Sequence, residues 1–286
     1  LLPTDGSTGA AEAIARALDL ARATDATLHA LSVVDTGAEP PVLSDAHREE
    51  FRQKSRTRCQ AATDTVDEHG ETLGVDVVQE VRQGVPHEVI REYADEHDVD
   101  LIVMGTHGRT GQQRAHVGST TERVITLGDT PVMTIRLGGD VTDLPTGYGM
   151  YDHVVIATDG SDDAERAAEP ALEIAEHYGA DVHVIYVVDT TTYDLEDAPR
   201  SIVGLLKEGG REATETIADL ARERNLPADA DVLRGQPDEE ILDFTDGVGA
   251  DLIVVGTRGL SATSDRLLGS VTARILEQAE TPVMTR

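Results

Sequence analysis

Along the chain, short runs of aliphatic and β-branched residues alternate with longer stretches in which apolar residues recur every three or four positions. The short runs have the character of buried parallel strands, and the longer stretches that of amphipathic helices packed on them. This alternation predicts an α/β fold with a parallel sheet flanked by helices. In the second half, Val154 to Ala157 predicts a first strand. Ser161 or Asp162 is placed to cap a following helix, whose Ala168, Leu172 and Ala175 recur at i, i+4 and i+7. Ile14, Leu18 and Ala21 repeat that stripe in the first half. A second strand is predicted over Leu28 to Val34 and over Val182 to Val188, and a third over Val75 to Arg82 and Ala230 to Arg234. A fourth falls on Leu101 to Met104 and Leu252 to Val255, and a fifth starts at Val132 and at Val283. Each half thus predicts five strands.

The halves also match residue by residue. Pro3-Thr4-Asp5-Gly6-Ser7 answers Ala157-Thr158-Asp159-Gly160-Ser161, and Leu28 to Thr36 answers Val182 to Thr190, both at an offset of 154. Asp100 to Thr106 (DLIVMGT) answers Asp251 to Thr257 (DLIVVGT), and Thr130 to Thr134 answers Thr281 to Thr285, now at 151. A period this long is a duplicated domain and not a solenoid repeat. The boundary falls in the glycine-rich stretch GGDVTDLPTGYGM, which no helix or strand pattern crosses. Domains are therefore expected over 1–137 and 151–286, with a linker over 138–150.

Charge adds a statement about solvent. The 54 acidic and 24 basic residues give a formal −30, and Lys54 and Lys207 are the only lysines. Such a surface suits a salt-loaded cytoplasm like that of a halophilic archaeon, where a Debye length of about 3 Å mutes self-repulsion. It argues against nucleic acid as a partner, since phosphate backbones are bound by clustered Lys and Arg. Cys59 is the only cysteine, so no disulfide framework or cysteine zinc site is expected. No secretory signal or long apolar span is apparent, and a soluble, cytoplasmic protein without a membrane partner is expected. The sequence begins at Leu1 without Met, inside a predicted strand, so a few residues are expected to precede it.

The strongest candidate chemistry follows strand four. Gly105-Thr-His-Gly108, nine residues and Gly118-Ser119 in the first half are matched by Gly256-Thr-Arg-Gly259, nine residues and Gly269-Ser270 in the second. Glycines at this spacing allow close approach of a ligand or a positive φ, and each Gly-Ser pair stands before a predicted helix. A helix N-terminus with its unpaired N–H groups is a natural seat for a di- or triphosphate. Around these loops Arg109, Arg114 and Arg123 face only Glu122, and Arg258, Arg266 and Arg274 face only Asp265. The plain alternative is that these arginines pair with neighbouring acids. A second basic run, Arg52 to Arg58, has no glycines and is assigned to a solvated helix face. Thr4-Asp5 and Thr158-Asp159 close strand one. Asp before Gly-Ser is a common turn, but in open parallel sheets ligands bind beyond the carboxyl ends of strands, where strand order reverses. With order 3-2-1-4-5 these residues meet the glycine loop, the carboxylate serving the nucleoside end.

Together, the T-D-G-S turn, the V-V-D strand end, the D-L-I-V-M/V-G-T segment, the G-x2-G-x9-G-S loop and the final T-P-V-M strand resemble the universal stress protein family. The likeness is to its ATP-binding-motif branch, in tandem form. The resemblance implies two Rossmann-like domains of the adenine nucleotide alpha hydrolase-like type, each a five-stranded parallel sheet of order 3-2-1-4-5 flanked by helices. It implies ATP or AMP as ligand, Mg²⁺ accompanying ATP, a role in stress response, and an intramolecular pseudo-dimer through the last strands, with a further homodimer as an option. Thr4, Asp5 and Val33 would surround the adenosine, and Met104, Gly105, Gly108, Arg109, Gly118, Ser119, Thr120 and Thr121 the ribose and phosphates. The second set is Thr158, Asp159, Val187, Val255, Gly256, Gly259, Gly269, Ser270, Val271 and Thr272. Thr120 stands where the family has valine, as at Val271, and His107 where the second half has Arg258, which makes the second site the more regular. No G-x4-G-K-S/T loop is present, and His107 and His116 lack counterparts, so no catalytic or metal residues are assigned. The alternatives are a slow ATPase and a nucleotide-independent interaction module.

Overall fold

The computed structural model describes residues 1–7, 10–38, 42, 44–106, 117–136, 150–191, 200–258 and 268–286. The chain divides into two compact units, Leu1–Thr146 and Gly147–Arg286. Apart from Met150, the expected linker lies outside the described residues. Unit one runs β1 (Leu2–Pro3), α1 (Ala10–Thr24), β2 (Leu28–Asp35), α2 (Asp45–Leu73), β3 (Val77–Gly84), α3 (Pro86–Glu96), β4 (Ile102–Gly105), α4 (Ser119–Leu127) and β5 (Val132–Ile135). Unit two repeats the order as β6 (His153–Ala157), α5 (Asp162–Tyr178), β7 (Asp181–Asp189), α6 (Arg200–Glu223), β8 (Ala228–Gly235), α7 (Pro237–Val248), β9 (Leu252–Val255), α8 (Ser270–Gln278) and β10 (Val283–Thr285).

In unit two, β8 pairs with β7, β7 with β6, β6 with β9 and β9 with β10, all parallel. Val154, Val155, Ile156 and Leu252 to Val255 are buried, as befits strands covered on both faces. Ser161 caps α5 by accepting the Ala164 N–H, and the buried stripe of Ala168, Leu172 and Ala175 seats the helix on the sheet.

Unit one departs from the expected continuous five-stranded sheet. Its ladders join β1 to β2, β2 to β3, and β4 to β5. Between β1 and β4, Val103 N–H reaches Leu1 O at 2.9 Å. Pro3, two residues on, points to the same neighbour but has no N–H to give. Ala157 holds the matching place in unit two, and there β6 and β9 pair over four registered positions.

In unit one α1 packs beside α2 and α3 beside α4. Since α2 and α3 both lie on β2 and β3, the two helix pairs cover opposite faces of the sheet. A second difference between the units is a volume exchange under α2 and α6. A Cβ on Gly210 would lie 2.6 Å from the Tyr186 ring, so α6 needs glycine there. The equivalent positions in unit one hold Ser32 and Cys59. Among the described residues no helix is long and apolar enough to cross a membrane.

Candidate functional site

The turn after the first strand has the same construction in both units. Asp5 Oδ1 accepts the Ser7 N–H at 2.9 Å, and Asp159 Oδ1 accepts the Ser161 N–H at 3.0 Å. Thr4 Oγ1 accepts the Gly6 N–H at 3.3 Å, and Thr158 Oγ1 the Gly160 N–H at 3.0 Å. Gly6 and Gly160 sit at φ +70 and +79, a conformation other residues enter only with strain. The motif is thus an Asx turn. It also holds the carboxylate at the carboxyl edge of the sheet, because backbone bonds from Thr4 to Leu31 O and from Thr158 to Ile185 O fix the preceding residue.

The glycine loop is pinned at both ends. Gly118 N–H donates to Thr106 O at 2.7 Å, and Gly269 N–H to Thr257 O at 2.9 Å. The Thr121 hydroxyl donates to Gly105 O at 3.0 Å, and the Thr272 hydroxyl to Gly256 O at 2.7 Å. Those hydroxyls therefore tie the strand end to the helix start, and what either threonine offers a ligand is its amide. Gly108, Arg109 and Gly259 lie outside the described residues.

Gly118 and Gly269 adopt ordinary negative φ, and at Gly269 what glycine supplies is space. A Cβ on Gly269 would stand 3.3 Å from Thr257 O, and one on Gly256 3.1 Å from the Ala164 nitrogen in the first turn of α5. The first bonds within α4 and α8 run from Glu122 to Gly118 and from Ala273 to Gly269. The amides of Ser119, Thr120 and Thr121, and of Ser270, Val271 and Thr272, precede them and have no acceptor inside their helices. Three successive donors at the positive end of a helix dipole have the chemistry that suits an anion.

In unit one these pieces enclose a cavity of about 300 Å³ at the carboxyl edge of the strands. It brings Thr4, Asp5 and Val33 together with Met104 and Gly105 of β4, with the capping Gly118 and with Ser119, Thr120 and Thr121 of α4. A volume near 300 Å³ lies at the lower end of ligand-pocket sizes. The structure adds a wall that sequence reasoning missed. Phe51, Ser55 and Arg58 of α2 line the cavity, as do Pro86 and Ile90 of α3. Of the basic run assigned to solvent, Lys54 pairs with Glu50 on the helix surface, whereas Arg58 stands at the cavity. The i, i+4, i+7 spacing of Phe51, Ser55 and Arg58 was the available signal.

In unit two, Thr158 and Asp159 follow β6 beside Val255 and Gly256 at the end of neighbouring β9, with Val187 near the end of β7. Gly269 caps α8, whose first residues are Ser270, Val271 and Thr272. Two arginines near this loop are held by acids. Arg258 Nε donates to Asp163 Oδ2 at 2.9 Å, and Arg274 to the buried Asp238 at 3.1 Å. The plain reading of those two arginines is therefore the one the geometry favours.

Comparison with known proteins gives a consistent picture. The family model described as "Universal stress protein family" matches residues 1–136 and 150–285. A universal stress protein of Methanocaldococcus jannaschii is 39% identical over 141 residues, 48% of this chain and 83% of that protein. The universal stress protein YxiE of Bacillus subtilis is 30% identical over 145 residues, 47% of this chain and 98% of its own length. The crystal structure of a universal stress protein from Archaeoglobus fulgidus aligns with a TM-score of 0.71 at 20% identity, covering 99% of this chain and 94% of the other, which shows a shared fold.

Proposed function

Because the chain belongs to the universal stress protein family through both of its units, we propose that each unit binds an adenine nucleotide, ATP or AMP, and that the protein acts in stress response as a nucleotide-liganded sensor or regulator. The observation that carries this reading is the cavity of unit one, which is lined both by three helix-terminal amides suited to an anion and by a fixed carboxylate. The donor set fits the ligand. Amides of Ser119, Thr120 and Thr121 suit phosphate oxygens. Asp5 suits ribose hydroxyls and would repel phosphate, and the apolar Val33, Met104 and Ile90 suit an adenine face.

Unit two would use Asp159, Val187 and the start of α8 in the same roles, within domains spanning 1–137 and 151–286. Amides at a helix end hold anionic oxygens without moving a proton, so the proposed activity is binding, with hydrolysis at most weak and Mg²⁺ arriving with ATP. The −30 charge fits a salt-rich cytoplasm as the setting.

Calorimetry on nucleotide-stripped full-length chain in high salt tests the proposal. Heat is expected with ATP or AMP at two sites per chain, with Kd on the order of micromolar, about −8 kcal/mol. Absence of heat with ATP, ADP and AMP alike would remove the proposal.

A further inference from the structure

The chemistry of the α2 wall goes beyond a simple nucleotide pocket. Arg58 lines the cavity of unit one, and among the described residues its hydrogen bond is a long one to Ser55 Oγ at 3.4 Å. Among the described residues no carboxylate lies within ion-pair range of its guanidinium. Several other arginines are held by acids, as Arg82 is by Glu96, Arg222 by Glu215 and Asp219, and Arg274 by Asp238. Asp5 and Asp35 line the same cavity without pairing with Arg58, and a guanidinium so placed has forked donors that match phosphate oxygens.

Position gives this cation a specific use. The amides at the start of α4 belong to one face of the sheet, while α2 belongs to the other. The two groups of donors suited to an anion therefore line one cavity from different walls. A single phosphate on the amides leaves the guanidinium for further phosphates of a longer chain. We infer that Arg58 is a second phosphate contact, found in unit one alone, which makes that unit select nucleoside di- and triphosphates over monophosphates. This rests on the nucleotide reading above.

Unit two has no counterpart. Ala62 and Ala213 hold the same place against Gly6 and Gly160, which fixes the register of α2 against α6 at 151. In that register Gly209 replaces Arg58, Leu206 replaces Ser55 and Ile202 replaces Phe51. An apolar, uncharged wall supplies no second anion contact.

The experiment uses full-length chain in which Gly269→Val silences unit two, titrated with ATP, ADP, AMP and adenosine. Arg58→Gln is expected to lower ATP and ADP affinity about tenfold while changing AMP affinity less than about twofold. Arg58→Lys should keep part of the polyphosphate preference, having charge without the fork. Arg58 is exposed on its helix, so the thermal midpoint should not move. Equal losses for ATP and AMP, or no loss for either, would overturn the inference while the parent's binding of ATP leaves the nucleotide reading standing. A parent that binds none of the four removes that reading itself, and the inference with it.

Discussion

The two units treat the same motif differently. At the described ends of the glycine loop they share one construction: Gly118 and Gly269 cap a helix in the same conformation, and Thr121 and Thr272 close the same bond onto Gly105 and Gly256. On the neighbouring wall they diverge, Phe51, Ser55 and Arg58 in α2 standing where α6 has Ile202, Leu206 and Gly209. The difference follows from what each part is made of. A seat built from backbone amides depends on glycine spacing and strand ends, and a side chain added there acts on the seat directly. A wall built from side chains changes one residue at a time at little structural cost, so duplicated sites keep the cradle and differ in what surrounds it.

The strongest way to separate the two sites is to fill one cradle. Gly269→Val keeps an allowed backbone, since φ there is −60, but its Cβ meets Thr257 O at 3.3 Å and its methyls extend into the start of α8. Nucleotide affinity at unit two should fall by more than about 100-fold, roughly 2.7 kcal/mol, and calorimetric stoichiometry should drop from two to one. A stoichiometry that stays at two would break the assignment of this loop to binding.

A middle-sized effect tests the volume exchange beneath the walls. Gly210→Cys puts a Cβ 2.6 Å from the Tyr186 ring, close to its attachment and not at a flexible tip. Overpacking of this kind costs about 1–3 kcal/mol, read as a lower urea midpoint for unit two. Adding Tyr186→Ser installs the Ser32 and Cys59 pair of unit one and should recover at least about 1 kcal/mol as a coupling energy. Strict additivity of the two changes would show that the helix–strand fit is not what sets the pair.

These contrasts mark where sequence reading reaches and where it stops. The T-D-G-S turn was legible because its geometry is local: an Asx turn needs Asp and a left-handed glycine within three residues, and Gly6 and Asp5 supply them. The duplication made the strand ends legible a second time. Arg58 was not, because periodicity tells which face of a 29-residue helix is apolar but not which of its turns meets the end of a strand. The inward turn of the Thr121 and Thr272 hydroxyls depends on how close the helix start lies to the strand end, a tertiary distance. The interrupted pairing of β1 with β4 was written in Pro3, yet it has meaning only once the register shows that residue facing β4.

The smallest effect lies at the amino ends of the strands and again divides the units. In unit one His29 Nδ1 and the Tyr93 hydroxyl are 2.8 Å apart, and Tyr93 stacks on His97 with ring centroids 4.0 Å apart. In unit two the matching His183 meets Phe244, which has no hydroxyl, at 6.1 Å. Burial holds the His29 pKa below its ordinary value, and the neighbouring His97 acts in the same direction. A base whose pKa falls on folding binds fewer protons folded than unfolded, so its stabilising contribution is present above the unfolded pKa, near 6.5, and is lost as pH falls towards the folded value. The ring is only partly buried, and solvent screening keeps the contribution to about a few tenths of a kcal/mol. Urea midpoints of unit one measured from about pH 7.5 down to 5.5 should therefore fall slightly more steeply in the parent than in His29→Gln, which carries no titrating ring. The same pair of curves for His183→Gln gives the control within the same chain. A His29→Gln chain with the parent's slope would show that this cluster is held by packing and not by its protonation state.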